Sequence, residues 1–444
     1  MTELRDSPEG GARPAGAVGA LALLLVLVAC TTAVMPSPST SDPVASELAS
    51  TTPSSPFDRS GTGWSLAVTG SPEGPAVAND VVHAAIGLVA VGVQAHHHPP
   101  DLFGVPDTMR SPLPTLGPTP LHSGRIWLST DGESWTDVTP GDALANSRMT
   151  HVIERSDGAV VAVGALTHSN DEGIAREGPH VAWITRDGVS WSATSLGVPE
   201  GVHVLELEQG PVGLVALVRV SDGTAVHTIW FSSDGTEWEE VLSITGNAID
   251  VAAGVDGFVI LAEPGPYGET REPFAFASAD GRDWVAASDP PPELLFHLAP
   301  LGGDWVATGY GFGASPNPLG VWHSTDGLTW QRQGEIPLDS LSVRSTSCVE
   351  VPVSLISAGE SVVLSPDLGF PCTEQDFVVH GRPRVSTDGV TWFALPFPVG
   401  TPGVTNSGST VRAAAMLDDR LVLIGQSSGQ AAFWIMDDPS IDDD

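Results

Sequence analysis

Three consecutive histidines and a nearby aspartate, His96, His97, His98 and Asp101 in "VQAHHHPPDLFG", look more like a metal-ligand set than anything else in this 444-residue chain. Imidazole and carboxylate suit zinc, nickel or copper(II), and His122, His168, Asp171 and His180 stand in neighbouring segments as further donors. Three successive residues of an extended strand alternate sides, however, and cannot all face one ion. Pro99-Pro100 mark a solvated loop, so an ordinary polar loop is expected there, and no cofactor. A second set of acids is repeated: Asp131, Asp187, Asp234, Asp280, Asp326 and Asp388 each precede a glycine. One carboxylate per turn falls far short of the six to eight oxygens that calcium takes. No His-Glu-x-x-His pair occurs, so no zincin-type motif calls for an enzyme.

The repeated acids point instead to architecture. They sit in "IWLSTDGESW", "AWITRDGVSW", "IWFSSDGTEW", "FAFASADGRDW", "VWHSTDGLTW" and "PRVSTDGVTW", at spacings of 56, 47, 46, 46 and 62 residues. A repeat of that length with four strands per unit predicts an all-β chain, a β-propeller of four-stranded blades. Unit two displays the four strands as "MTHVIERSDG", "AVVAVGAL", "HVAWITRDG" and "VSWSATSL". The second strand recurs as near-continuous apolar runs, among them "GLVAVG", "FVILAE" and "LVLIGQ", which suit a strand covered on both faces. There are seven such runs. The seventh unit reaches its third strand at "AAFWIMDD", with Trp434 in the place of Trp127, and has no fourth. At the other end "GTGWSLAVTG" places Trp64 where Trp135 stands. The N-terminal strand is therefore expected to complete the C-terminal blade and close a seven-bladed ring over 61–438, removing exposed sheet edges.

The boxes resemble the Asp-box of BNR and sialidase-like propellers, written S-x-D-x-G-x-T-W, except that Asp and Gly are adjacent here. The resemblance implies that they are structural: Ser129, Asp131 and Gly132 would hold one hairpin turn, as would their counterparts. Trp135, Trp191, Trp238, Trp284, Trp330 and Trp392 would wedge between blades. Sialidase-like enzymes also use three arginines, a tyrosine paired with a glutamate, and an acidic aspartate. Only Tyr267 and Tyr310 are available here, and no matching arginine motif is found. A glycan-acting hydrolase of sialidase type is thus the alternative; a binding or scaffolding module is the main expectation.

The remaining segments give an address. "AVGALALLLVLVAC" is too short to span a bilayer comfortably and suits a signal-peptide core, and Leu27-Val28-Ala29-Cys30 resembles the bacterial lipobox. That resemblance implies a signal peptide at 1–29, lipidated Cys30, and attachment to the cell membrane on its extracytoplasmic side through the lipid alone. Residues 30–60 are Ser/Thr/Pro-rich and read as a disordered spacer, and 439–444 as an acidic tail. The remaining cysteines, Cys348 and Cys372, are expected to pair, since export permits oxidation and they flank the first two strands of unit six. A net charge of −36, with every basic residue an arginine, excludes nucleic acid as a partner and opposes adsorption on anionic lipid. A monomer is expected, with an unidentified protein or glycan ligand on the loop-bearing face.

Overall fold

The computed structural model describes residues 64–69, 75–95, 122–169, 175–198, 202–220, 226–264, 274–289, 293–310, 318–336, 353–366, 383–395, 410–427 and 429–436. All of them lie within the compact unit Thr52–Asp444. His96, His97, His98, Asp101, Asp171, Cys30, Cys348 and Cys372 fall outside the described residues.

Among the described residues, apart from one 3-10 turn at Gly141–Leu144, the regular elements are strands, and their pairings are antiparallel. After β1 (Trp64–Thr69), a first sheet holds β2 (Ala76–Ala84), β3 (Gly87–Ala95), β4 (His122–Ser129) and β5 (Thr136–Asp137) in chain order. A second holds β6 (Ser147–Glu154), β7 (Val160–Ser169), β8 (Ala175–Thr185) and β9 (Ser192–Ser195). Next comes a seven-stranded sheet: β10 (Val202–Gly210), β11 (Gly213–Val220), β12 (Val226–Ser232), β13 (Glu239–Gly254), β14 (Gly257–Pro264), β15 (Phe274–Ser278) and β16 (Val285–Ala286). Within it β13 serves two ladders, pairing with β12 up to Thr245 and with β14 from Gly246 onward. Two further sheets follow the four-strand order: β17 (Leu294–Leu301), β18 (Asp304–Tyr310), β19 (Leu319–Ser324) and β20 (Gln331–Ile336); then β21 (Val353–Ala358), β22 (Ser361–Pro366), β23 (Arg384–Ser386) and β24 (Phe393–Ala394). The last contains β25 (Thr410–Leu417), β26 (Arg420–Ser427), β27 (Gln430–Met436) and, on its outer side, β1.

Four-stranded antiparallel sets that meet through their first strands have the arrangement of a β-propeller. Here β2 lies against β6, β6 against β10, β10 against β13, β13 against β17, β17 against β21, β21 against β25, and β25 against β2. The second strand of each set is sandwiched between neighbouring sets, so both of its faces are apolar: Val160 to Val163, Leu214 to Val218 and Leu421 to Ile424 are all buried. Several fourth strands are only two residues long. Thr136 and Asp137 of β5 are exposed, as are Val285 and Ala286 of β16, which blunts the outer edges.

The register of β1 matches that of a fourth strand. Leu66 lies opposite Trp434 on β27, as Asp137 lies opposite Trp127 on β4. Counting two residues back on each strand gives Trp64 and Trp135, which therefore occupy equivalent places.

Candidate functional site

The repeated turn is built from its own side chains. Asp131 Oδ1 accepts the Glu133 and Ser134 N–H groups at 2.9 and 2.7 Å and the Ser129 hydroxyl at 3.1 Å; Ser129 Oγ in turn accepts the Gly132 N–H at 2.8 Å. The same net surrounds Asp187 (with Thr185 replacing the serine), Asp234, Asp280, Asp326 and Asp388. Donors aimed at a carboxylate favour its charged form. The Asp283 and Arg282 N–H groups hold Asp280 well below the usual carboxylate range. At Asp388 burial works upward, but the Thr391 and Val390 N–H groups and two hydroxyls outweigh it and leave the carboxyl at about 2. The turn is wider than a two-residue hairpin. Six residues, Thr130 to Trp135, separate β4 from β5, and Trp135 Nε1 closes them by donating to Gly132 O at 2.8 Å.

Each turn also docks on the sheet before it. Trp135 stacks on Phe433 of β27 at 4.1 Å between ring centroids. Trp191, Trp238, Trp284, Trp330 and Trp392 pack into apolar clusters shared with the preceding set, and Trp64 does so between the β21 and β25 sets. The turn glycines have positive φ and lie against the same neighbours. A Cβ on Gly281 (φ 74°) would fall 2.5 Å from Cδ2 of Phe231, a ring that is 1% exposed. In each turn Oδ1 of the aspartate is committed to the turn's own donors, which gives the repeated acids a structural role.

No family model and no curated protein matches the chain. Among solved structures it is similar to the β-propeller domain of the Trilobed protease from Pyrococcus furiosus, at 11% identity and TM-score 0.45, over 82% of this chain and 96% of that one. It is also similar to Trypanosoma rangeli sialidase in complex with sialic acid (12%, TM-score 0.38, 85% of this chain and 59% of that one). A third is Pyrococcus horikoshii acylaminoacyl peptidase (10%, TM-score 0.38, 66% and 46%). The likeness is one of fold.

Function usually sits on loops carried by a rigid scaffold, and here the second and fourth strands end, and the first and third begin, at one end of the sheets. His122 and His180 begin or sit within third strands at that end, but they do not meet as ligands. His180 Nε2 donates to Val202 O at 2.8 Å. His168 lies in β7 opposite Arg176. Among the described residues no group of three or more His, Cys, Asp or Glu is placed to hold a metal ion. What the end does gather is basic character. Arg125 pairs with Asp137 at 3.2 Å and donates to Gln94 Oε1. His203, Arg219 and His227 stand opposite one another across β10, β11 and β12 and so share one sheet face. His227 Nδ1 donates to Gly246 O at 2.9 Å; burial, helped by Arg219, lowers its pKa. Arg219 is exposed and, among the described residues, has no carboxylate partner.

A further set was not anticipated from sequence. β25 breaks register at Val411/Ala413, before an alanine, and five other first strands break at Ala78/Asp80, Met149/His151, Val204/Glu206, Ala248/Asp250 and Leu295/His297. Each break is a β-bulge, which leaves a backbone group outside the ladder. In these five the residue that follows the bulge is Asp, His, Glu, Asp or His in turn, and the acids reach the next first strand. Asp80 Oδ2 accepts Val152 N–H at 2.8 Å, Glu206 Oε2 accepts Val251 N–H at 2.8 Å, and Asp250 Oδ2 accepts Leu298 N–H at 2.7 Å. Asn79 Nδ2 adds a bond to Met149 O at 2.7 Å. Burial pushes Asp80 and Asp250 up to about 7 despite these N–H groups, and pushes Glu206 and Glu208 well above the ordinary range. It drives His151 and His297 down to about 4.

Proposed function

We propose that residues 61–438 form a seven-bladed β-propeller, closed by β1, that acts as a lipid-anchored extracytoplasmic binding or scaffolding module. Seven blades are supported by the two ladders that share β13, and closure by the pairing of β1 with β27 and the contact of β25 with β2. The lipobox-like run ending at Cys30 and the Ser/Thr/Pro-rich spacer behind it support tethering. The observation that carries binding is Arg219. In a chain with 54 acidic residues and 18 arginines, arginines at the turn-bearing end are in ion pairs: Arg155 and Arg186 with Asp157, Arg282 with Glu239, and Arg420 with Glu133. Arg219 at the opposite end is exposed beside two histidines instead. A guanidinium so placed suits carboxylate or sulfate groups on a glycan or on an acidic protein segment.

The test is a glycan array probed with the head domain 61–444 and its Arg219→Ala variant. Binding of acidic glycans, reduced at least tenfold in the variant, is expected. Equal binding by both proteins overturns the assignment. Turnover of a fluorogenic sialoside by the same preparation would favour the hydrolase alternative.

A further inference from the structure

The carboxyls behind the first-strand bulges form a connected series, because each accepts the N–H that follows the bulge residue of the next strand. Asp80 on β2 binds Val152 beside His151, Glu206 on β10 binds Val251 beside Asp250, and Asp250 on β13 binds Leu298 beside His297. His151 on β6 makes the corresponding contact with the backbone of Val204 and Leu205 on β10. These bonds join successive inner strands, which share no ladder with one another.

At one link two carboxyls meet. Glu206 Oε2 accepts the N–H of Val251, the residue next to Asp250, at 2.8 Å, which brings the two acids to one joint, and two carboxyls so placed favour keeping a proton between them over carrying two like charges. Glu208, two residues further along β10, faces Glu206, Asp80 and Asp250 and accepts from Ala253 N–H. Among the described residues His297 from β17 also faces the pair, its Nδ1 4.0 Å from Asp250 Oδ2, while His151 from β6, beside His180 and Arg148, meets the β10 backbone at Val204 and Leu205 just before Glu206. Among the described residues no arginine forms an ion pair with any of the four acids.

We propose that Glu206 and Asp250 hold one proton in common at neutral pH, and that this pair is a proton-operated clasp between the inner strands β10 and β13. Loss of the proton puts two charges against each other in a site with no cation, so the clasp loosens in alkali and tightens in mild acid. The direction follows from linkage. An acid whose folded pKa lies above its unfolded value binds more protons in the native state, so its contribution falls as pH rises from about 4 through the folded pKa. His151 and His297, with folded values near 4, act oppositely, but only between about 4 and 6.5. Above about 6.5 they are neutral in both states, and the acids alone set the slope.

The experiment is thermal unfolding of the head domain from pH 6.5 to 9, for the parent, Glu206→Gln and the exposed control Glu237→Gln. The parent and the control should lose stability steeply with rising pH, the unfolding constant growing about tenfold per pH unit for each retained proton. Glu206→Gln should lower that slope by about one proton. Infrared spectroscopy of the parent at pH 7 gives a readout independent of the variant's folding: a carbonyl band from a protonated carboxyl, lost in alkali, is expected. A flat parent profile, an undiminished slope in Glu206→Gln, or no protonated-carboxyl band at pH 7 would each overturn the clasp.

Discussion

Replacing Gly281 by alanine tests whether the repeated turn stabilises its own hairpin alone or also the packing of β15 and β16 against β12. Gly281 has φ 74°, in the left-handed region, and an added Cβ would meet Phe231 at 2.5 and 2.8 Å and Phe258 at 3.1 Å. Both rings are buried, and Phe231 belongs to the preceding strand β12. Arg282 also lies 3.9 Å above the Phe231 ring, which hinders its withdrawal. Gly158 provides the control. It has φ 77° in the turn between β6 and β7, with no atom within 4 Å of its added Cβ. Both substitutions incur the left-handed strain of roughly 1–2 kcal/mol, partly offset by about 0.4–1 kcal/mol from the stiffer unfolded chain. Only Gly281→Ala adds overpacking of about 1–3 kcal/mol.

The expected losses are therefore about 1 kcal/mol for Gly158→Ala and roughly 2–4 kcal/mol for Gly281→Ala. Unfolding entropy of about 2.1 cal/mol/K per residue over the roughly 380-residue head gives about 0.8 kcal/mol per degree. Differential scanning calorimetry should then record Tm shifts of about 1 °C and about 3–5 °C. Phe231→Leu in the Gly281→Ala background should recover part of the loss, since neighbours that clash do not behave additively. Equal shifts for the two glycines, or strict additivity with Phe231→Leu, would refute the docking argument.

Trp64→Ala should cost about 3–5 kcal/mol by equilibrium urea unfolding, comparable to Trp330→Ala, because both rings fill clusters between successive sheets; a loss below about 1 kcal/mol would remove β1 from the core. On the acid side the turn carboxylates should dominate. Their folded pKa values lie below the unfolded ones, so their stabilisation is present above about pH 4 and disappears as pH falls towards 2; Asp388→Asn should shallow that limb of the Tm profile, and an unchanged limb counts against it. Thiol titration of the denatured, unreduced head should find no reactive Cys348 or Cys372, whereas two thiols per chain exclude the bridge.

The strand order was legible because its physics is local and repeated. A second strand covered on both faces must be apolar at consecutive positions, and "AVVAVG" or "LVLIGQ" says so without alignment. The turn was legible in composition but not in width. Nothing in "STDGESW" distinguishes a two-residue hairpin from a six-residue turn, because the closing bond runs from the Trp135 indole back to the Gly132 carbonyl. The merging of two sheets along β13 was also hidden. "EEVLSITGNAIDVAAG" lacks the break that separates units elsewhere, so one strand crosses from one ladder to the next.

The inner acids were visible in principle. "NDVVHA", "THVIER", "LELEQG", "IDVAAG" and "FHLAPL" each place a titratable residue just before an apolar one. Read as regular strands, these residues pass for the solvated half of an alternating pattern. A bulge shifts that alternation by one residue, and none of these bulges carries a glycine or proline to announce it. The two families of carboxylate thus look alike in sequence and behave oppositely in the fold. Asp388 and Asp280 meet several N–H groups in an open turn, where water still supports the charge, and they are held ionised. Asp80 and Asp250 also accept N–H groups, but from an enclosed strand where lost hydration outweighs those bonds. The balance between donors and desolvation, not residue type, decides which acids fix the turns and which respond to protons.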